Sequence, residues 1–205
     1  MAFGKRYIVQ ALPKLADRYL DLDFEVHLSD RYTDLIEERI DASVRVGHSP
    51  DSQLIIYPLA QAQLMVCATP DYWQKHGKPE TLEDLGRHNC LNFIVPNTNR
   101  VRHWAFESDG EKIQLPFTGN FSFSNPEAML ENALAGIGVV QLYNFLVYPA
   151  IAKGFLEPVL EIYAPPTVPL SIIYPQKRHL SAKVRVFVEF MRNIVADLKK
   201  QGFAI

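Results

Sequence analysis

The chain has 205 residues, 48% of them hydrophobic, and carries a formal net charge of −2. This length and apolar content are enough to bury one ordinary core or two small ones. The near-neutral charge, with no run rich in lysine and arginine, excludes the basic surface of a nucleic-acid-binding domain. No apolar segment approaches the roughly 20 residues that span a bilayer, and the N-terminus has no signal region. We therefore predict a cytoplasmic protein without membrane association.

The first part of the chain is predicted to form two helices and two strands in alternation. Apolar residues recur at helical spacing within residues 1–20 and alternate with polar residues over 24–28, which predicts a helix and a half-buried strand. Asp30 is the predicted N-cap of a short second helix. The segment Ala42–Val46 that follows is too short and too apolar for a surface element, so we predict a buried core strand ending near Arg45.

The next part of the chain is punctuated by prolines and a glycine. After a loop at residues 48–52, the apolar segment 54–68 contains Pro58, which predicts a strand, a break and a second strand. Thr69-Pro70 has the residue preferences of a helix start, and Gly77 is the predicted end of that helix.

Cap and turn signals divide the rest of the chain. The predicted features, in order, are a cap at Thr81, a strand at Cys90–Val95, a polar loop at 96–99, a hairpin turn at Asp109-Gly110, a helix from Asn125 to Gly136, a strand at Val139–Leu142, a helix at Phe145–Ala152 stopped by Gly154, a stiff connector at Pro165-Pro166, a strand at Leu170–Tyr174 and a long final helix capped by Ser181. This alternation of strands and helices predicts parallel α/β sheets.

The two cysteines, Cys67 and Cys90, both lie in apolar, strand-like surroundings. Such cysteines are most often buried, reduced thiols of a cytoplasmic protein, which is the interpretation we favour. A redox pair is the alternative, although no neighbouring residue marks either thiol as activated.

Tests for catalytic and metal-binding motifs are negative. The sequence has no G-x-S-x-G, no G-x-x-x-x-G-K and no H-E-x-x-H. Gly136-Ile-Gly138 follows a predicted helix, so it is a helix stop rather than a dinucleotide loop. His88 and Cys90 are interpreted as a loop histidine and a core cysteine, because no further ligands stand at metal spacing. We therefore expect no catalytic residues, no metal and no cofactor.

The remaining polar features suggest binding. Arg45, at the end of its predicted strand, can meet a carboxylate with two parallel hydrogen bonds; a salt bridge to Asp41 or Asp30 is the alternative. Asn125 and the free N–H groups of its helix form a corner that accepts an anion or an amide, or else a plain helix cap. The segment Phe3-Gly4-Lys5 offers a similar set of N–H groups.

These features occur within a longer resemblance. Residues 30–54 are similar to the pattern D-R-x-x-D-L-x-x-E-G-x-D-x-[AS]-[IV]-R-x-G-x-x-x-D-S-x-L of the effector-binding domain of LysR-type transcriptional regulators. The match continues in order through Ala68–Tyr72, His76–Pro79, Asp84-Leu85, His88–Leu91, Gly119, Asn125–Ala128, Ala135–Gly138, Gly154–Leu156, Tyr174-Pro175 and Ser181–Phe187. It covers essentially the whole chain.

The resemblance implies an α/β fold with two Rossmann-like subdomains of the type 2 periplasmic-binding-protein fold, joined by a two-strand hinge. Subdomain I would comprise residues 1–67 and the C-terminal return 169–205, and subdomain II residues 68–168. The hinge would lie at Cys67–Thr69 and Val168–Leu170.

The resemblance also implies a function. A small-molecule effector, expected to be a small organic acid, would bind between the subdomains and alter how a paired DNA-binding domain engages its operator. The implied contact residues are Phe3, Gly4, Ser29, Asp30, Arg45, Val46, Gly47, Ala68, Thr69, Phe93, Ile94, Val95, Ser124, Asn125, Leu142 and Tyr143. The implied assembly is a homodimer, or a tetramer for a full-length protein. The alternatives are a solute-binding protein of a transport system and, third, an enzyme.

Four departures from the family pattern accompany the match. The winged helix-turn-helix and linker helix of the family do not occur in this sequence, so we expect this chain alone not to bind DNA. The strand that the family carries just before Phe3 is also missing, which would leave a sheet position unfilled. Arg39 replaces a helix-terminating glycine and would carry strain in a left-handed conformation. Tyr143 stands where proline is common, and its hydroxyl would reach the effector.

Overall fold

A computed structural model describes residues 1–47, 53–176 and 181–200. The predicted loop at 48–52 lies outside these ranges. The α-helices are α1 (Val9–Arg18), α2 (Pro70–His76), α3 (Pro126–Leu134), α4 (Asn144–Ile151) and α5 (Ala182–Lys200). The strands are β1 (Ser43–Val46), β2 (Leu54–Ala62), β3 (Leu64–Ala68), β4 (Cys90–Val95), β5 (Arg100–Val101), β6 (Trp104–Ser108), β7 (Glu111–Leu115), β8 (Ser122–Phe123), β9 (Val139–Tyr143), β10 (Glu157–Val159) and β11 (Val168–Pro175). None of the helices within these ranges has the length and apolar character required to cross a bilayer.

The chain forms two compact units. Unit 1 comprises Met1–Ala62 and Val168–Ile205, and unit 2 comprises Gln63–Thr167. In unit 1 the described strands form an antiparallel sheet in the order β1-β11-β2. The predicted first helix is confirmed as α1, preceded by a π-helical turn at Gly4–Ile8, and the final helix is confirmed as α5 with its Ser181 cap. The predicted strand before Gly47 exists as β1, but it is a partly exposed antiparallel edge strand rather than a buried parallel one.

Two predictions in unit 1 are wrong. Residues 24–28 form no strand, and their apolar members Phe24, Val26 and Leu28 are 41%, 47% and 41% exposed. Among the described residues no strand pairs with this segment, and alternation alone cannot replace the missing ladder of hydrogen bonds. The helix predicted from Asp30 is reduced to one turn, whose cap is Asp34: its Oδ1 accepts from the N–H groups of the second and third residues after it at 2.8 and 3.0 Å.

That turn ends on Arg39, which has φ of 56°. The N–H of Ile40 donates to the carbonyl of Leu35 at 2.9 Å, and the N–H of Arg39 to that of Ile36 at 3.3 Å. This pair of bonds is the Schellman motif, with Arg39 at the left-handed position that glycine prefers. The left-handed conformation expected at Arg39 is confirmed, and the strain that it implies for a residue with a Cβ stays a prediction.

We expect Arg39→Gly to raise the free energy of unfolding by about 1 kcal/mol, because glycine adopts a positive φ without a Cβ clash. Urea denaturation measures the change. The matched control is Glu38→Gly, since Glu38 is also exposed but lacks a positive φ; there glycine should lower stability. Equal effects of the two substitutions would contradict the strain at Arg39.

Pro58 does not break its strand, contrary to the prediction. β2 runs continuously from Leu54 to Ala62, and Pro58 pairs with Ser171 beside a register shift between Leu170 and Ser171. The proline is tolerated because β2 lies at the outer edge of the described sheet and the ladder is already bulged there. The break between strands falls at Gln63 instead.

Unit 2 contains a mixed sheet in the order β10-β3-β9-β4-β5, with β8 beside β4. Only β4–β8 and β4–β9 are parallel pairs in this sheet, so the prediction of parallel sheets is wrong for most of the described pairings. The predicted strands at 90–95 and 139–142, the helix starts at Thr69 and Asn125 and the glycine stops are confirmed. The predicted hairpin is also confirmed, and its turn residues Asp109 and Gly110 have φ of 54° and 79°.

Asn89 joins three segments of unit 2. Its Oδ1 accepts from the N–H of Asn120 at 3.0 Å, and its Nδ2 donates to the carbonyl of Ile137 at 2.8 Å. Two glycines let the backbones approach this closely: a Cβ on Gly119 would lie 2.0 Å from the carbonyl oxygen of Cys90, and one on Gly138 would lie 2.2 Å from that of Asn89.

Candidate functional site

The parallel strands of unit 2 end at a common edge of the sheet. The register Asn92↔Ser122 and Leu91↔Val140 aligns β4 with β8 and β9, so their carboxyl ends meet. Open α/β sheets bind ligands at such edges. The structure therefore brings together, at the carboxyl edge of unit 2, these predicted residues: Phe93, Ile94, Val95, Ser124, Asn125, Leu142 and Tyr143. Leu142 is 2% exposed and offers only its backbone.

Asn125 is used as a helix cap. Its Oδ1 accepts from the N–H of Ala128 at 2.8 Å, and Pro126 occupies the first helical position. This geometry is the plain cap that was the alternative to an anion-accepting corner. The cap nevertheless directs the first turn of α3 towards the carboxyl edge, where it follows β8.

Ala68 and Thr69 do not join these residues. β3 runs antiparallel to β9 with the register Leu64↔Tyr143 and Cys67↔Val140, so the end of β3 lies at the opposite edge of the sheet. Thr69 caps α2 there, its Oγ1 accepting from the N–H of Tyr72 at 3.2 Å. The residue of this segment at the carboxyl edge is Gln63. Its carbonyl accepts from the N–H of Asn144 at 2.8 Å, and its N–H donates to the side-chain Oδ1 of Asn144 at 3.2 Å.

Arg102 is a residue of the carboxyl edge that the sequence did not single out. Its guanidinium carbon lies 5.2 Å from the centre of the Phe93 ring, and its Nη2 donates to the carbonyl of Gln141 at 3.3 Å. Burial lowers the pKa of Arg102 and raises that of nearby Tyr143, while the positive charge of Arg102 opposes the rise at Tyr143. Nothing in the sequence distinguishes this arginine from Arg100, because only the fold brings it against β4 and β9.

In unit 1, Arg45 contacts the loop before the turn. Its guanidinium carbon lies 4.3 Å from the centre of the Tyr32 ring, and its Nη2 donates to the carbonyl of Thr33. Its Nη1 is buried without a hydrogen-bond partner among the described residues, as is the Oγ of Ser171, the residue opposite Arg45 on β11. Two unsatisfied polar atoms thus lie on one face of the sheet.

The alternative interpretation of Arg45, a salt bridge to Asp41 or Asp30, is wrong. Asp41 pairs with Lys183 at 2.5 Å and Asp30 with the Met1 ammonium at 2.5 Å. Within the described ranges no carboxylate lies within salt-bridge distance of Arg45. The guanidinium therefore keeps an uncompensated charge, which is compatible with an anionic ligand.

The other predicted residues of unit 1 fall into two places. Gly4 lies near Leu28, since a Cβ on Gly4 would be 3.0 Å from the Leu28 side chain. The ion pair of the Met1 ammonium with Asp30 holds the start of the chain beside the same loop. Val46 and Gly47 continue β1 beyond Arg45, and Gly47 has φ of 94°. The predicted set of free N–H groups at 3–5 is incomplete, because the N–H of Lys5 donates to the carbonyl of Met1 at 3.1 Å.

The two cysteines are buried, free thiols, as favoured from the sequence. Burial raises the pKa of both Cys67 and Cys90 to about 12. Such thiols are overwhelmingly protonated near neutral pH and are poor nucleophiles. The ring of His88 packs against Trp73 at a centroid distance of 5.5 Å, and its pKa is lowered by burial and by His76.

Comparison with known proteins identifies the family. The profile of the LysR substrate binding domain matches residues 1–196. The chain belongs to this family. This LysR substrate-binding domain is 31% identical over 191 residues to the HTH-type transcriptional activator TtdR of Escherichia coli strain K12, covering 92% of the present chain and 60% of TtdR. It is 32% identical over 180 residues to the HTH-type transcriptional regulator CrgA of Neisseria meningitidis, covering 87% of the chain and 59% of CrgA. The chain thus spans only about three fifths of these relatives.

Solved structures agree with this assignment. The regulatory domain of CrgA from Neisseria meningitidis superposes with a TM-score of 0.82 at 29% identity, over 95% of both chains. The regulatory domain of AphB from Vibrio vulnificus shares the fold, with a TM-score of 0.77 at 24% identity over 92% of both chains. The predicted fold class and family of this LysR substrate-binding domain are confirmed. The family is one of regulators rather than enzymes, and the relatives named here do not support the transport alternative.

Proposed function

We propose that this domain belongs to a transcriptional regulator and controls it by binding a small organic acid. The family match over residues 1–196 carries the proposal, together with relatives that are HTH-type regulators and extend beyond the matched region. DNA binding would reside in a part of the regulator other than this LysR substrate-binding domain. The regulator would act in the cytoplasm as a homodimer, or as a tetramer at full length.

The proposed mechanism is a shift between two arrangements of the regulator. An effector changes their populations only by its difference in affinity for them. Units 1 and 2 would be the two regulatory subdomains. The structure divides the chain at Ala62/Gln63 and Thr167/Val168, whereas the sequence places the boundaries after residues 67 and 168. We propose that the hinge lies at Ala62/Gln63 and Thr167/Val168.

Arg45 in unit 1 and the carboxyl edge of unit 2 are the proposed contact regions. Arg45 is supported by its missing acidic partner and by the unbonded Nη1. The carboxyl edge is supported by the convergence of Phe93–Val95, Asn125 and Tyr143 at the ends of parallel strands. Phe3, Gly4, Ser29, Asp30, Val46 and Gly47 stay predictions, and the proposal does not use Ala68 and Thr69.

The test is a thermal-shift screen of small mono-, di- and hydroxycarboxylic acids near neutral pH. We expect at least one acid to raise the Tm, and its uncharged amide to have no effect. Arg45→Gln should weaken binding of that acid by about tenfold or more, because a charge-assisted bond is lost. Arg31→Gln is the matched control, since Arg31 is an exposed arginine of the loop that Arg45 contacts, and it bonds to the Oγ of Ser29 through its backbone N–H rather than its side chain.

Two results would contradict the proposal. If none of the acids raises the Tm, the effector is not an organic acid. If Arg45→Gln and Arg31→Gln behave alike, Arg45 is not a contact residue. The regulatory role is tested separately by gel shift with the full-length protein, whose affinity for its operator should change when the active acid is added.

A further inference from the structure

The side chain of Arg102 in unit 2 is held in a defined orientation. Its backbone N–H donates to the carbonyl of Phe93 at 2.8 Å, and its guanidinium carbon lies 5.2 Å from the Phe93 ring centre. From the other side, the carbonyl of Gln141 accepts from Nη2 at 3.3 Å. A planar guanidinium fixed by a ring and a carbonyl loses little further freedom when it binds an anion.

The charge of Arg102 has no protein counter-ion. Arg18 and Arg87 lie 4.0 and 3.7 Å from carboxylates, but within the described part of the chain no carboxylate is that close to Arg102. Burial lowers the pKa of Arg102, yet an arginine stays protonated at neutral pH. A partly buried cation without an anion is costly, and an anionic ligand would offset that cost.

Donors remain at this position. Nε and Nη1 of Arg102 have no hydrogen-bond partner among the described residues, and neither is enclosed by protein. The same holds for the Tyr143 hydroxyl, whose ring stacks on Phe145 at a centroid distance of 5.6 Å. Burial raises the pKa of Tyr143, so its hydroxyl keeps its proton near neutral pH and can donate it in a hydrogen bond.

We propose that Arg102 and the Tyr143 hydroxyl form a carboxylate-binding pair at the carboxyl edge of unit 2. This deepens the proposed function, on which it rests for the identity of the ligand as an organic acid. Arg102 supplies the charge and Tyr143 a second donor. Phe93 positions the guanidinium. Because the pair contacts only the carboxylate, it binds this group irrespective of the rest of the acid.

The experiment follows the arginine Nε–Hε resonances by NMR while butyrate is added in the millimolar range at constant ionic strength. The resonance of Arg102 is assigned by its loss in Arg102→Lys. We expect butyrate to shift it and the isosteric amide, butyramide, to leave it unmoved. Arg102→Gln should weaken butyrate binding by about tenfold or more, and Tyr143→Phe by a smaller factor, because a neutral hydrogen bond is weaker than a charge-assisted one.

Arg100→Gln is the matched control, because Arg100 is an exposed arginine on the adjacent strand β5. It should leave the butyrate response unchanged. Equal responses to butyrate and butyramide, or equal losses in the Gln variants of Arg100 and Arg102, would overturn the pair. So would an unmoved Arg102 resonance in a folded protein, which is verified by circular dichroism.

The two proposals fail in different ways. If butyrate binds at Arg102 but no acid alters operator binding by the full-length protein, the carboxylate pair stands and the regulatory proposal fails. If an acid alters operator binding and Arg102→Gln leaves its affinity unchanged, the regulatory proposal stands and the carboxylate pair fails.

Discussion

Gly119→Ala is expected to lower the free energy of unfolding by about 3 kcal/mol or more, beyond the usual cost of overpacking. The new Cβ would lie 2.0 Å from the carbonyl oxygen of Cys90 and 2.9 Å from the Oδ1 of Asn89. Backbone atoms of a central strand cannot move aside as a flexible side chain would. The segments that Asn89 joins would therefore separate, and the bond from the Cys90 N–H to Thr118, 3.3 Å long, would be strained with them.

Differential scanning calorimetry measures this effect. A loss of 3 kcal/mol corresponds to a fall in Tm of roughly 6 to 12 °C for a domain of this size. Gly86→Ala is the matched control, since a Cβ at Gly86 meets nothing within 4 Å and the residue has no positive φ. A Tm of Gly119→Ala close to that of Gly86→Ala would show that the backbones approach less closely than described.

Gln141→Leu is the second substitution with a large expected effect. Gln141 is 1% exposed, and its amide pairs with both backbone groups of Ala105: Oε1 accepts from the N–H at 3.0 Å and Nε2 donates to the carbonyl at 2.7 Å. Leucine has a similar volume but cannot make either bond. Each buried backbone group left unpaired costs about 1–3 kcal/mol, so for the two groups of Ala105 we expect a loss of about 2–6 kcal/mol in the free energy of unfolding.

The control for this prediction is Gln114→Leu on β7. Gln114 lies opposite Ala105 in the hairpin but is exposed, so the same substitution there should change the stability little. Urea denaturation of both variants measures the difference. If the two losses are alike, the amide of Gln141 is not what fixes the β6–β7 hairpin to the central strand β9.

Features set by neighbours in the chain were predictable from the sequence. The caps at Thr69 and Asn125, the hairpin at Asp109-Gly110 and the left-handed Arg39 depend on a few adjacent residues, and the structure confirms them. The prediction of a strand at Phe24–Leu28 was wrong because strand formation depends on a partner elsewhere in the chain. The prediction of parallel strand pairing was wrong for the same reason, since the alternation of strands with helices does not determine which strands pair.

The candidate site was predictable only in part. Residues at the ends of β4, β8 and β9 were found because the family resemblance identifies them. Thr69 was misplaced relative to Tyr143, since the antiparallel direction of β3 carries it to the other edge of the sheet. Arg102 was missed because its importance comes from burial and from the lack of an acidic neighbour, which are properties of the fold.

The bulge at Pro58 affects how readily a strand from another molecule could extend the sheet of unit 1. β2 forms the outer border of the described sheet of unit 1, and Ile55 and Ile56 on it are 37% and 46% exposed. An apolar strand at a border invites a strand from another molecule to extend the sheet. A proline lacks an N–H, and a bulge increases the local twist, so an incoming strand would find an interrupted, curved template. Pro58 and its bulge thus make this border of the described sheet a poor template for edge-to-edge strand pairing.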